Sequence, residues 1–377
     1  MSLNLFATDR ADSTLHPDFI KVRDDPLNAP ARAMMTRVAE LMEDPDGNLV
    51  EQFQTFGFDA RTFEIYLEAL FRSEGHIIDR SQPRPDFIIE RDGVRAAVEA
   101  VTSNPTPTGV YQRYEPLGGP PATDMAGIIH YLRNEVQIRM GSALYSKLKK
   151  KYWELSHVRG LPFVIALQPF HEAGSLGLSS TSLANLLMGL EHQHRFENGR
   201  LIVEAKPIAE HKGSKTIPSA FFTLPGAEHI SAVLFCNAGT VPKFNRIGVQ
   251  DGLATGSARL VRHGTCYDHT LNSAVHAIFA YEVGTRAAPV EPWRDGAVVI
   301  HNPYAAVPLP EEWLGGMSEE ALNGGTVVTT WRDYFLPFRS LTQVMPGDTP
   351  NRVVRKCISD ALQLLRLEQS LAPGARQ

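Results

Sequence analysis

The sequence contains only three cysteines, and they are widely spaced: Cys236, Cys266 and Cys357. A disulfide framework needs paired thiols, and a cysteine-rich zinc site needs clustered ones. Neither pattern is present, so we expect reduced thiols, some of them buried.

Long apolar runs are also absent. No segment approaches the roughly 18 consecutive apolar residues that a transmembrane helix needs. The first 25 residues mix acidic and basic side chains and contain no apolar core of the kind found in signal peptides. We therefore expect a cytoplasmic protein without a membrane partner.

An excess of positive charge is missing as well. The chain has 37 Lys+Arg against 42 Asp+Glu, a formal net charge of −5. This balance gives no global signal for nucleic-acid binding. A metal-dependent nuclease can still be acidic overall, because its site needs clustered carboxylates and only a local basic patch.

Several catalytic motifs do not occur. There is no G-x-x-x-x-G-K-[ST] phosphate loop and no G-x-S-x-G nucleophile elbow, which argues against a P-loop ATPase and a serine hydrolase. His263, Cys266 and His269 are spaced as zinc ligands can be. No second ligand pair accompanies them, so a zinc site is disfavoured.

The length of 377 residues suits one large domain or two ordinary ones. Segments with helical periodicity alternate with short apolar runs typical of buried strands, which indicates an α/β protein. We predict three parts, namely an N-terminal arm and helix (1–45), a core (46–245) and a C-terminal extension of unassigned role (246–377).

The most informative segment is Arg61–Thr102. Its first part repeats apolar residues at helical spacing and predicts a core-facing helix over 61–74. A short strand is expected over 76–80. Residues 85–102 then read as a β-hairpin closed by an Asp-Gly turn at 92–93. The predicted order is helix, strand, strand, strand.

Three further predictions concern the elements that follow. The proline-rich residues 104–121 should form a loop, and 124–155 should be mostly helical with a break near Gly141. A final helix should begin after Thr349 as its cap, with Pro350 in its first position.

Two carboxylates belong to the predicted hairpin. Asp86 begins one strand and Glu99 lies late in the other, 99 − 86 = 13 residues further on, with the turn roughly between them. Antiparallel pairing should bring the two side chains together. Glu99 also interrupts an apolar strand, where an unpaired carboxylate would be unfavourable. Glu64 lies at the edge of the apolar face of the preceding helix. The simplest interpretation is that it is a half-exposed helix residue without a catalytic role.

This arrangement resembles the PD-(D/E)XK nucleases, a superfamily that includes restriction endonucleases and Holliday-junction resolvases. The resemblance covers about 40 of the 377 residues. It implies a restriction-endonuclease-like core in which helices flank a mixed central sheet. It also implies that Asp86 and Glu99 bind Mg²⁺ (or Mn²⁺) and that Glu64 is a third catalytic acid.

The chain departs from the family at one position. The family has a lysine two residues after the second acid, and here that residue is Val101. Some members draw this lysine from another element, and we predict Lys147, on the following helix, for that role. Gln137 and Tyr145 on the same helix loosely resemble a glutamine–tyrosine element of some relatives.

A run of lysines surrounds Lys147 and includes Lys149, Lys150 and Lys151. On a helix, Lys147 and Lys151 share a face and Lys150 adjoins it. We predict that Lys147, Lys150 and Lys151 contact nucleic acid. The simpler interpretation is that the run is a solvated helix face that binds no ligand.

The predicted function is that of a Mg²⁺-dependent endonuclease that hydrolyses phosphodiester bonds of nucleic acid, with DNA favoured over RNA. The alternative is an inactive nuclease-fold protein that binds nucleic acid or another protein. Val101 favours this alternative, whereas the joint presence of Glu64, Asp86 and Glu99 favours the enzyme. The sequence leaves open a homo-oligomer or a regulatory partner.

Overall fold

The computed structural model of the protein describes residues 3–104, 125–171 and 174–371. The predicted loop at 104–121 lies outside the described residues, apart from Asn104. Two compact units are formed by interleaved parts of the chain. The large-sheet unit comprises Leu70–Asn237 and Gly296–Asp333, and the small-sheet unit comprises Met1–Ala69, Ala238–Asp295 and Tyr334–Gln377.

The α-helices of the described residues are α1 (Pro17–Asp24), α2 (Ala29–Ala39), α3 (Leu49–Gln54), α4 (Phe58–Ser73), α5 (Met125–His130), α6 (Val136–Leu148), α7 (Thr181–Met188), α8 (Val241–Gln250) and α9 (Asn351–Leu371). None of them combines the length and the apolar character that a bilayer crossing requires.

The β-strands of the described residues are β1 (Ile77–Asp79), β2 (Phe87–Arg91), β3 (Val94–Ser103), β4 (Phe163–Pro169), β5 (Leu190–Glu197), β6 (Arg200–Pro207), β7 (Glu210–Lys212), β8 (Thr216–Pro218), β9 (Ala232–Cys236), β10 (Ala258–Cys266), β11 (Ala277–Glu282), β12 (Ala297–His301), β13 (Ser318–Asn323), β14 (Thr326–Thr330) and β15 (Pro337–Pro346).

The large-sheet unit is built on eight strands in the order β1-β2-β3-β4-β9-β12-β13-β14. The sheet is mixed. Strands β3, β4 and β9 run parallel, as do β12 and β13, and the remaining neighbours are antiparallel. The protein is thus a mixed α/β protein with a large central sheet flanked by helices, as the alternation of patterns predicts.

The hairpin predicted over 85–102 is confirmed as β2 and β3. Asp92 and Gly93 connect the strands, and both have positive φ angles, of 53° and 75°. This conformation matches a two-residue turn whose twist fits the strands, and aspartate and glycine adopt it most readily. The turn sets the register so that Phe87 pairs with Val98.

Helix α6 packs on β3 and β4. Its buried apolar stripe consists of Val136, Met140, Leu144 and Leu148, the spacing seen in the sequence. The predicted break near Gly141 is wrong. The helix continues through this residue. The glycine allows close packing of the Ile217 and Leu186 side chains, which would lie 3.0 and 3.2 Å from an added Cβ. The interruption occurs earlier, as a π-helical turn at Tyr131–Glu135.

The small-sheet unit contains a three-stranded antiparallel sheet in the order β11-β10-β15, and α9 packs on β10 and β11. Helix α9 begins at Asn351, one residue after the predicted first position at Pro350. Residues Val354, Ala361 and Leu365 form its buried stripe.

A buried ionic cluster lies in the same unit. Glu291 accepts hydrogen bonds from Arg246, at 2.7 and 2.8 Å, and its Oε1 lies 2.8 Å from Lys243 Nζ. The guanidinium of Arg262 contacts both Glu291 and Asp295.

The predicted division at residues 45 and 245 differs from these two units. The N-terminal segment belongs to the same unit as α8, β10, β11 and α9, while β12, β13 and β14 extend the large sheet. A division into consecutive segments could not anticipate this, because strands distant in sequence complete one sheet.

Candidate active site

Asp86 and Glu99 are brought together by the hairpin. Because Phe87 opposes Val98, Asp86 lies one residue before the ladder, facing Glu99. The backbone N–H of Asp86 donates to Glu99 Oε2 at 3.3 Å, and the N–H of Ala100 donates to Asp86 Oδ2 at 2.7 Å. Each carboxylate is therefore held by the backbone of the opposite strand, as the spacing in sequence predicts.

Lys147 reaches this pair from α6. Its Nζ lies 2.5 Å from Glu99 Oε1, and the Glu99 side chain is only 5% exposed. The contact forms because α6 packs on β3 and Lys147 belongs to its last turn. The structure thus groups Asp86, Glu99 and Lys147, and the chemical role of the lysine stays a prediction.

Burial and like charge act on Asp86. Removal from water, followed by repulsion from Glu99, raises the pKa of Asp86 to about 6, despite the opposing effects of Lys147, the Ala100 N–H and Arg80. For Lys147, burial lowers the pKa, but attraction to Glu99 and Asp86 outweighs it and the pKa is raised. The amine is therefore a cation at neutral pH.

Two neighbours of the site were not predicted from the sequence. Tyr152 is buried beside the carboxylates, and burial together with Glu99 raises the pKa of its phenol. Arg80 is buried with its guanidinium 4.5 Å from the centre of the Phe87 ring. The only sequence signal for Tyr152 is its place directly after the lysine run.

Glu64 lies in the small-sheet unit. It is buried, and both of its carboxylate oxygens lie 2.7 Å from Nη1 of Arg61. Arg61 also donates to the side chains of Asn48 and Gln52. The position of Glu64 is therefore set by a local ion pair, and its role as a third catalytic acid stays a prediction.

The prediction that Lys147 and Lys151 share a helix face is wrong, because α6 ends at Leu148 and the backbone of Lys151 is left-handed. The other lysines of the run are exposed. The amine of Lys149 lies 4.5 Å from the centre of the Tyr145 ring, and Lys151 lies 3.5 Å from Glu154. Lys150 and Lys151 are accessible to a ligand, and their contact with nucleic acid stays a prediction. Gln137, in contrast, is buried.

A metal ion at this site would need oxygen ligands from Asp86 and Glu99. Within residues 3–104, 125–171 and 174–371, no group of three or more His, Cys, Asp or Glu side chains could hold one. Asp86 and Glu99 supply two. Mg²⁺ is commonly bound by one or two carboxylates, with waters and substrate phosphates completing six ligands. The Asp86–Glu99 pair fits that pattern.

Comparison of the chain with protein-family models, with curated proteins and with solved structures gave no match.

Proposed function

We propose that Asp86, Glu99 and Lys147 form the active site of a Mg²⁺-dependent nuclease with a restriction-endonuclease-like core. The observation that carries the proposal is the contact of Lys147 Nζ with Glu99 Oε1, at 2.5 Å, beside Asp86. It places a lysine from α6 at the carboxylates, although Val101 occupies the position where the family has its lysine.

The topology of the central sheet supports the same proposal. Strands β2 and β3 form an antiparallel hairpin that carries the two acids, and β3 continues into a parallel partner, β4. Helix α6, which lies between β3 and β4 in the chain, packs back on both strands. A mixed sheet of this order agrees with a restriction-endonuclease-like core.

In this proposal, Asp86 and Glu99 hold Mg²⁺ or Mn²⁺ through their carboxylate oxygens. The bound ion would supply Lewis-acid chemistry for cleavage of the phosphodiester bond. Lys147 keeps a positive charge next to the carboxylates, where it stabilises the negative charge that develops on a phosphodiester group during cleavage. Exposed Lys150 and Lys151 are suited to bind the flanking phosphates of nucleic acid, with DNA as the favoured substrate.

The alternative is an inactive protein that retained the fold for binding nucleic acid or protein. Its support is that Glu99 already has a cationic partner in Lys147, so the buried group is charge-compensated as it stands. Metal binding separates the two proposals, because the alternative needs none.

The test is the substitution Asp86→Asn, which removes a charge and nearly preserves shape. We expect Mn²⁺ affinity, measured by calorimetry, and cleavage of plasmid and oligonucleotide substrates to fall together by about 10-fold or more. The matched control is Asp92→Asn at the hairpin turn, where the aspartate side chain is 80% exposed.

Equal cleavage by the wild type and Asp86→Asn would reject Asp86 as a metal ligand. Wild-type protein that neither binds Mn²⁺ nor cleaves DNA or RNA would favour the binding protein. Melting curves of all three proteins check that folding is retained.

A further inference from the structure

The connection between β1 and β2 determines where Asp86 lies. Residues Ser81–Arg84 are exposed, bends begin at Gln82, and Asp86 lies just outside the ladder that begins at Phe87. Strand pairing alone therefore does not fix the backbone before Asp86. Other contacts must hold this connection if Asp86 is to face Glu99.

His157 supplies such a contact. Its Nε2 lies 2.6 Å from the carbonyl oxygen of Arg84, two residues before Asp86. A carbonyl oxygen only accepts hydrogen bonds, so Nε2 must carry the proton and donate it. This holds for the neutral Nε2–H tautomer as well as for the imidazolium.

The position of His157 is itself well fixed. Its neighbour Val158 is fully buried in the core of the large-sheet unit, and the Val158 N–H donates to the carbonyl of Leu155 at 3.0 Å. The histidine thus projects from a turn that is anchored in the core, and it can restrain the more exposed connection before β2.

The same short segment contacts the site at three places. Lys147 pairs with Glu99, Tyr152 lies beside Glu99 and Asp86, and His157 holds the carbonyl of Arg84. Residues 147–157 therefore contact both β3 and the connection that precedes β2. This segment can set the separation of the two carboxylates in this way.

We infer that His157 is a positioning residue, which holds the backbone before Asp86 so that the Asp86 carboxylate faces Glu99. This inference rests on the proposed metal-dependent function. Residues that orient metal ligands through a hydrogen bond typically change metal affinity by 10- to 100-fold when they are removed. His157 would act on the metal site through the Arg84 carbonyl, without touching the ion.

The experiment compares His157→Ala with His157→Gln, because the glutamine amide can still donate to the Arg84 carbonyl. His194→Ala, at an exposed position of β5, is the matched control. Two quantities are measured on the full-length protein, namely the Kd for Mn²⁺ and the hydrogen-exchange rate of the Ala100 amide, which reports the bond to Asp86 Oδ2. Melting curves check that each variant folds.

We expect His157→Ala to weaken Mn²⁺ binding and to speed Ala100 exchange, each by about 10-fold. His157→Gln should recover most of both, and His194→Ala should match the wild type. Wild-type values of both quantities in His157→Ala would overturn the inference.

If the wild type binds no Mn²⁺, the proposed function fails and the exchange rate alone decides the role of His157. Faster Ala100 exchange in His157→Ala, recovered in His157→Gln, would then support positioning. An unchanged rate would reject it.

Discussion

Lys147 Nζ lies 2.5 Å from Glu99 Oε1, so the lysine is the counterion of a buried carboxylate that is also a proposed metal ligand. A divalent cation that binds Glu99 is repelled by the nearby ammonium group, whichever of the two carboxylate oxygens it takes. Lys147 thus stabilises the metal-free site and at the same time opposes metal binding. Its removal should have opposite effects on binding and on chemistry.

Replacing Lys147 with glutamine should therefore strengthen Mn²⁺ binding, by about 10-fold, because a competing positive charge is lost. Cleavage should fall by 10-fold or more, since the ammonium group no longer stabilises the negative charge that develops on the substrate phosphate. The unpaired Glu99 should also destabilise the metal-free fold, at the lower end of about 3–5 kcal/mol. Calorimetry, cleavage assays and melting curves with and without Mn²⁺ measure these effects.

The control is Lys356→Gln, which removes the same charge from an exposed position on α9. Weaker Mn²⁺ binding by Lys147→Gln would show that the amine does not compete with the metal.

The raised pKa of Asp86 predicts the pH dependence of metal binding. With a pKa of about 6, Asp86 is mostly protonated at pH 5 and mostly ionised at pH 7. Because a proton and a metal compete for the carboxylate, the Kd for Mn²⁺ should be about 10-fold higher at pH 5 than at pH 7. Calorimetric titrations at several pH values test this, and an equal Kd across the range would contradict it.

The same pKa affects the stability of the metal-free protein. Folding raises the pKa of Asp86 from its ordinary value of 3.8 to about 6, so the native state holds this proton more tightly than the unfolded chain. The stabilisation is fully present at pH values below 3.8 and is lost as the pH rises through 6. The free energy of unfolding of Asp86→Asn, relative to that of the wild type, should therefore increase from pH 4 to pH 7, as measured by urea unfolding. If the difference in unfolding free energy between the two proteins does not change with pH, the pKa of Asp86 is not raised.

Glu291 should be essential to the stability of the small-sheet unit. Its side chain is 2% exposed and contacts the cationic groups of Lys243, Arg246 and Arg262. Glu291→Gln leaves these buried cations with less compensating charge, so we expect a loss of about 3–5 kcal/mol in the free energy of unfolding. Urea unfolding measures it, with exposed Glu197→Gln as the control. A loss below about 1 kcal/mol would mean that the cluster tolerates an uncompensated charge.

Nucleic-acid binding through the lysine run predicts a defined salt dependence. If Lys150 and Lys151 each neutralise one phosphate, replacing either with glutamine should reduce the slope of log K against log salt by about 0.7–0.9. Fluorescence anisotropy with labelled oligonucleotides in EDTA measures the slope without cleavage. Lys356→Gln on α9, an exposed lysine paired with Asp360, is the control and should leave the slope unchanged. An unchanged slope for both variants would show that Lys150 and Lys151 are solvated and make no phosphate contact.

Local sequence determined the part of the site that lies on the hairpin. The two-residue turn at Asp92-Gly93 fixes the register of β2 and β3, and side chains alternate between the faces of a strand. Those two rules alone place Asp86 opposite Glu99. The apolar spacing along α6 likewise predicts which of its faces is buried.

Tertiary structure decided the rest. Four lysines lie within five residues, and only the packing of α6 on β3 selects Lys147 as the partner of Glu99. The contact of His157 with the Arg84 carbonyl joins residues 73 positions apart, and no local pattern encodes it. The strands at 297–330 also complete a sheet begun at residue 77. Periodicity and turn chemistry act over a few residues, whereas these contacts depend on how distant segments pack together.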